Sequence, residues 1–314
     1  MENDMRPVMV SIQCLVFNHE HYLRKCLDGI VMQKTNFRFE AIVHDDVSTD
    51  KSVEIIREYS ERYPNIIKPI YEKENQWSKG NMALDILMRD ACIGKYIAIC
   101  EGDDFWIDTN KLQEQFDAME LNPEYSICFN RVQVVEEDGV TKRNLIPWEE
   151  SKIKQGIVTM KTVVDEEFLG QHWCFHTCSF FMRREIYSKY IEFRKDVLTS
   201  FPYGDMPLIM CALTTGNGFY IDKVMGCYRF MSGGWNSNSG KDKKKAMQII
   251  QKVVEGYNQF DEYTNFKYHK GISWRNNRAI FFGLYKGLSL NPKYWRYYPE
   301  MLTLIIKNIK KKWK

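Results

Sequence analysis

The sequence predicts an α/β protein, a doubly wound sheet followed by a helical C-terminal extension. Three observations carry this prediction. From Val8 to Leu121, apolar runs of strand length alternate with amphipathic helix patterns across short connections, as in a sheet wound by right-handed crossovers. Two strand-like runs end in acidic clusters, Asp45-Asp46 and Asp103-Asp104, and in such a sheet strand ends of one side share a crevice. From Lys243 onward the chain reads as helix. The expected division is therefore a main domain over 1–240 and an extension over 241–314.

Taken in order, Val8 to Phe17 is a strand-like run, and Asn18 behind it is a good helix N-cap. Leu23, Cys26, Leu27, Ile30 and Val31 fall on one helical face. A second strand, Glu40 to His44, leads into Asp45-Asp46-Val47-Ser48-Thr49-Asp50. Its last three residues can cap a helix carrying Val53, Ile56 and Tyr59, which Pro64 closes. Ile66 to Tyr71 reads as a third strand and Met82 to Ala91 as a third helix. Tyr96 to Cys100 is apolar or small throughout, the mark of a strand buried on both faces. A helix from Asn110 to Leu121 follows, with Leu112, Phe116 and Met119 as its core stripe. Beyond it, Ser126–Asn130 and Val132–Val135 read as short strands, and the polar stretch from Trp148 to Val164 as a loop. Gln171 to Ser179 is dense in aromatic and hydrogen-bonding residues. Asp205 stands ahead of an apolar, helix-like run through Leu213, and the Gly-, Ser- and Asn-rich stretch after Tyr228 reads as a loop.

The totals narrow the function. The formal net charge over 314 residues is +3, so no global field points to nucleic acid. Nine scattered cysteines, several within apolar runs and none in a CxxC pair, suit a reducing compartment rather than a disulfide framework. Met1 to Pro7 carries no apolar leader segment, and no stretch approaches the ~18 apolar residues of a membrane span. A cytoplasmic protein is expected.

Glu101-Gly102-Asp103-Asp104 packs three carboxylates into four residues at the end of a buried strand. Such crowding calls for a cation, and Mg²⁺ takes one or two carboxylates together with substrate phosphates. An acidic turn capping the next helix is the alternative that spacing alone leaves open.

With these residues in view, the stretch from Val8 to Asn238 resembles the family 2 glycosyltransferases, inverting nucleotide-sugar enzymes of the Rossmann-like GT-A fold, whose doubly wound sheet is mixed. Phe17-Asn18-His19-Glu20-His21-Tyr22-Leu23 is similar to the family's opening motif. His44-Asp45-Asp46-Val47-Ser48-Thr49-Asp50 is similar to its "vDDgStD", and Glu101-Gly102-Asp103-Asp104 to its "D.DD". The resemblance implies that Asp45 receives the nucleotide base, with Asp46, Ser48, Leu15 and Phe17 shaping the pocket and Asn75 and Lys79 above it. It implies Asp103 at the ribose or the ion, and Asp104 as ligand to Mg²⁺ or Mn²⁺ across the diphosphate. Asp205, in Gly204-Asp205, matches the general base, and His176 falls where sugar and acceptor meet.

Two departures stand out. Glu101 replaces the usual Asp, and Met231 stands where many relatives carry a His. A thioether is no ligand for a hard ion, which leaves Arg229 or His176 to assist at the phosphates. The resemblance implies transfer of one sugar from a nucleotide diphosphate-sugar, UDP-linked, to a glycan or lipid-linked acceptor in bacterial cell-surface polysaccharide synthesis. The alternative is a catalytically silent protein that keeps the fold as a carbohydrate-binding module or scaffold. Met301 to Ile306 followed by Lys307, Lys310, Lys311, Lys312, Trp313 and Lys314 suits an anionic membrane surface. That would seat the protein peripherally on the inner face of the cytoplasmic membrane; a solvated basic terminus is the other reading.

Overall fold

The structure, a computed structural model, describes residues 6–80, 82–231 and 243–287. The Gly/Ser/Asn-rich loop from Ser232 and the apolar and basic tail from Met301 lie outside the described residues.

The alternation in the first half folds as its periodicity predicts. Strand β1 (Val8–Val16), helix α1 (Leu23–Val31), β2 (Arg38–Asp45), α2 (Ser52–Arg62), β3 (Ile67–Tyr71), α3 (Ala83–Ala91) and β4 (Tyr96–Ile99) follow one another. β1 lies between β2 and β4, parallel to both, and β3 extends the parallel edge. β5 (Phe105–Trp106), α4 (Lys111–Leu121) and β6 (Tyr125–Val135) come next. The sheet then turns mixed through β7 (Lys142–Ile146), β8 (Gly156–Val158), β9 (Phe181–Arg183) and β10 (Asn217–Arg229). Its order is β3-β2-β1-β4-β9-β6-β10-β5, with β7 on β6 and β8 on β10. β9 runs antiparallel to both β4 and β6 and so stitches the parallel half to the mixed half.

Two apolar layers sandwich this sheet. Val10, Ile12, Cys14 and Val16 of β1 face Leu23, Cys26, Leu27 and Ile30 of α1 and Ile56 of α2. On the opposite face, Ile42, Ile97, Ile127 and Phe129 pack against α3, α6 (Arg184–Asp196) and α7 (Asp205–Thr215). All nine cysteines are buried and free, as small hydrophobes.

Three expectations change. The two short strands after Ser126 are one, β6, because a bulge in β10 opposite Arg131 keeps the ladder intact past that polar residue. The stretch read as a loop holds β8 and a capped turn of helix, α5 (Met160–Val163), which runs into a π-helical turn over Val164–Leu169. Elements of three or four residues are too short to print a period. Asn18 is not a helix cap: its φ is 56° and its Oδ1 accepts the Thr49 amide at 2.8 Å, while α1 starts at Leu23.

The helical extension is packed on the body of the protein. From α8 (Lys243–Tyr263) and α9 (His269–Gly287), Val253, Tyr257, Phe260 and Ile272 enter the same core layer as α6 and α7.

Close backbone approach seats β5, and with it the acidic turn before it. A Cβ on Gly29 of α1 would lie 2.7 Å from the Trp106 carbonyl oxygen. Gly29→Ala is expected to cost about 1–3 kcal/mol of unfolding free energy in urea; an unchanged midpoint would show that α1 does not seat this turn.

Candidate active site

The parallel strands end side by side. Val16 pairs with Asp45, and Gln13 with Ile99, which gathers the residues after β1, β2 and β4 on one edge, where ligands of open α/β sheets sit.

At the β2 end the two aspartates divide their work. Asp45 is buried; its Oδ2 accepts the Ser48 amide at 3.1 Å, while its Oδ1 has no partner in the protein. Asp46 accepts the amides of Gln76 (2.6 Å) and Trp77 (3.1 Å), and its carbonyl accepts the Asn75 side chain at 3.1 Å. It thereby straps the 72–80 segment across the edge and does not present its carboxylate to the cleft. Between Asp46 and Ser48, Val47 has φ 67°, a strained setting for a β-branched residue that the surrounding bonds must hold. Ser48 Oγ accepts the Asn18 amide at 2.9 Å, tying the β1 and β2 ends together. Phe17 is half exposed at the end of β1, and Lys79 pairs with Glu74 at 3.0 Å.

At the β4 end, carboxylate oxygens of Glu101, Asp103 and Asp104 all lie within 4.8 Å of one another. Asp104 is 1% exposed; its Oδ1 accepts the Arg229 amide at 2.9 Å, and its buried Oδ2 has no hydrogen-bond partner. Burial and then the neighbouring Asp103 charge push the Asp104 carboxyl well above its ordinary range, and the same two causes raise Glu101 to about 7. An acidic set of this kind, all hard oxygen and offset by a single guanidinium, that of Arg229, fits a divalent cation.

Arg229, which the sequence reading offers to the phosphates, lines the cleft but is held by the protein's own groups. It is 3% exposed, with Nε on the Asp103 carbonyl at 2.9 Å and Nη1 on the Glu137 carbonyl at 2.8 Å, and the rings of Tyr22 and Phe105 lie 4.8 and 5.2 Å from its guanidinium. The antiparallel pairing of β10 with β5 delivers it there. Its charge bolts the acidic turn in place.

His176 stacks on Tyr228 at 4.0 Å, and its Nδ1 lies 3.6 Å from Asp104 Oδ2. Burial lowers its pKa to about 3, so the ring is neutral. Its Nδ1 accepts the Cys178 amide at 3.3 Å; the proton then belongs on Nε2, which makes the ring a hydrogen-bond donor.

Asp205 opens α7, with Gly204 as the N-cap, and its Oδ1 accepts the Met206 amide at 2.8 Å. Burial raises its pKa, opposed by that amide. A cleft of about 620 Å³ joins these groups: Leu15, Glu101, Asp103, His176, Asp205 and Met231 all line it. Among the described residues lining it, Arg229 is the one Lys or Arg.

Several lining residues escaped the sequence reading, among them one tryptophan and two carboxylates. Trp77, 65% exposed, stands at the lip of the cleft. Glu167 lies in the π-helical turn, where its Oε2 accepts the Cys174 amide at 3.2 Å. Burial, with the Asp205 charge adding to it, pushes Glu167 up to about 7. Asp85, on α3, interrupts the apolar run Ala83-Leu84…Ile86-Leu87-Met88, and that interruption was the available signal. Glu167 had none, because its setting is made by tertiary contacts.

The family model for glycosyl transferase family 2 matches residues 11–191. An uncharacterized protein of Mycobacterium bovis is 41% identical over 138 residues, 44% of this chain, and the match spans only 39% of that relative's length. The Escherichia coli UDP-Glc:alpha-D-GlcNAc-diphosphoundecaprenol beta-1,3-glucosyltransferase WfgD is 24% identical over 256 residues, 80% of this chain and 88% of that protein. Among solved structures, S. aureus TarS 1-349 in complex with UDP-GlcNAc superposes with a TM-score of 0.67 at 16% identity, covering 96% of this chain and 81% of that one. The mannosyltransferase PcManGT from Pyrobaculum calidifontis, in complex with GDP-Man and Mn²⁺, gives 0.53 at 16% identity over 99% and 88%. These likenesses establish the fold as the GT-A fold expected from the sequence. Among the described residues no helix is long and apolar enough to cross a membrane.

Two outcomes follow from this geometry. Arg229→Lys leaves buried carbonyls unpaired and is expected to lower unfolding free energy by about 1–3 kcal/mol, whereas a residue serving only as a phosphate ligand would leave stability unchanged. The fold also holds the Glu167 proton more tightly than the unfolded chain, about 7 against an ordinary 4.5. Its contribution is therefore fully present below pH 4.5 and is lost as pH rises through 7. Thermal unfolding across pH should find Glu167→Gln gaining on the wild type above neutrality and losing that advantage in acid.

Proposed function

Because this chain belongs to glycosyl transferase family 2, we propose that it is an inverting transferase using a UDP-sugar. It moves one sugar to a glycan or lipid-linked acceptor in cell-surface polysaccharide synthesis. The observation that carries the reading is the convergence, on one sheet edge and its cleft, of an unpartnered Asp45 oxygen, three clustered carboxylates and Asp205.

Each group has a part. Asp45 Oδ1 accepts the N–H of a pyrimidine base, satisfying a buried acceptor that is otherwise costly. Asp46 and Ser48 hold that pocket's shape, with Leu15 and Phe17 along its β1 side. Asp103 and Asp104, with Glu101, hold Mg²⁺ or Mn²⁺; the partnerless Asp104 Oδ2 and the raised carboxyls are what such an ion would relieve. When bound, the ion offsets the negative charge of the departing diphosphate. His176 offers its Nε2–H to the phosphates or the sugar. Asp205 takes the proton of the acceptor hydroxyl as it attacks the anomeric carbon, in a single displacement that inverts the centre.

Relatives support the substrate class. WfgD is named for a UDP-Glc donor and a diphosphoundecaprenol acceptor, TarS was solved with UDP-GlcNAc, and the mannosyltransferase with GDP-Man and Mn²⁺. An acceptor carried on a lipid goes with a place on the inner face of the cytoplasmic membrane, reached peripherally through the basic tail.

The test is a donor panel with Mn²⁺ or Mg²⁺, scoring released nucleoside diphosphate with lipid-diphosphate sugars as acceptors. Asp205→Asn is expected to cut turnover by roughly 10²–10⁴-fold while keeping donor binding. Asp103→Asn should lose metal-dependent binding altogether. A wild-type protein that binds no donor would overturn the enzyme reading in favour of the silent scaffold.

A further inference from the structure

The reaction outlined above leaves one polar part of the cleft unused. Asp85, in the first turn of α3, lines the cleft with Tyr187 and Tyr190 of α6. The Tyr187 hydroxyl donates to Asp85 Oδ1 at 3.1 Å. The Tyr190 ring lies 5.5 Å from that of Tyr187, and its hydroxyl oxygen would stand 2.6 Å from a Cβ on Gly204. A polar floor thus runs from α3 to the residue immediately before Asp205.

The path of the reaction says what rests on this floor. A diphosphate held at Glu101–Asp104 and an acceptor hydroxyl held at Asp205 fix the anomeric carbon between them. Ring hydroxyls remote from that carbon would then fall within the same cleft, whose lining includes Asp85 and the two tyrosines. A carboxylate with one oxygen engaged by Tyr187 still accepts hydrogen bonds from hydroxyls. A carboxylate on the sugar would meet the Asp85 carboxylate on the cleft wall, while the lining Arg229 is already committed to Asp103 and Glu137 and the nearby Arg194, whose charge acts on Asp85 and Asp205, is bound to the Tyr203 and Phe201 carbonyls. Like charges at close quarters, with the neighbouring guanidiniums already engaged, are how a site rejects the wrong ligand.

We propose that Asp85, oriented by Tyr187, selects the donor sugar: it receives the hydroxyls of a neutral hexose and excludes hexuronic acids. This inference rests on the nucleotide-sugar reading above. It adds a specificity residue from α3, well apart in sequence from the acidic turn and from Asp205.

The experiment is calorimetric titration of the intact protein, in Mn²⁺, with UDP, UDP-glucose and UDP-glucuronate. Wild type should bind UDP-glucose at least about tenfold more tightly than UDP-glucuronate, and Asp85→Asn should close that gap to within about threefold while leaving UDP affinity within about twofold. Tyr187→Phe, a milder change, should weaken UDP-glucose relative to UDP. Equal wild-type affinity for the two sugar nucleotides, or a gap that survives Asp85→Asn, overturns the role of Asp85 and leaves the donor reading standing. Absence of UDP binding to the wild type overturns the donor reading and this inference together.

Discussion

Three carboxylates crowded at the end of a buried strand are the constraint on which the rest of the structure depends. In a low-dielectric setting they repel one another, and burial makes Glu101 and Asp104 resist ionisation, so the protein must either hold them by force or supply a cation. It does the first with one residue: the Arg229 amide takes one oxygen of Asp104, and the Arg229 guanidinium grips the Asp103 carbonyl and offsets part of the charge. The second oxygen of Asp104 stays without a partner. Holding and leaving open are separate tasks, and this turn has residues for each.

The same division recurs at the neighbouring strand end. Asp46 is spent on two amides of the 72–80 segment, and that leaves adjacent Asp45 with one oxygen tied and one free. Val47 sits in a backbone region that disfavours branched side chains, where the related motif carries glycine. The bonds on either side over-determine it, and a strained residue that persists directly after two buried carboxylates is characteristic of a site whose geometry matters more than its local comfort.

Much of this was legible in the sequence wherever the signal was local. The strand of Tyr96 to Cys100, its acidic terminus, the Asp45–Asp50 run and the apolar stripe of α1 all declare themselves within a dozen residues. What could not be read depends on partners far along the chain. Nothing near Asp46 announces that Gln76 and Trp77 will claim its carboxylate, so the motif could place it only in the pocket's wall. Arg229 looked free for phosphate because Glu137, Tyr22 and Phe105, which enclose it, are scattered through the sequence. The π-helical turn that carries Glu167 packs against the C-terminal helices, where a Cβ on Gly271 would run into the Val164 side chain.

The bolt at Arg229 also sets a timetable. Its bond to Asp104 joins residues 125 positions apart, and it rides on the strand that follows all the others in the sheet. Contacts of such separation close late, after their loop entropy has been met by nearer ones. During synthesis the acidic turn therefore emerges long before the residue that steadies it. The parallel half can pair its strands on the ribosome, but its carboxylates stay unbraced until β10 adds to the sheet. A competent site is among the last things this chain makes.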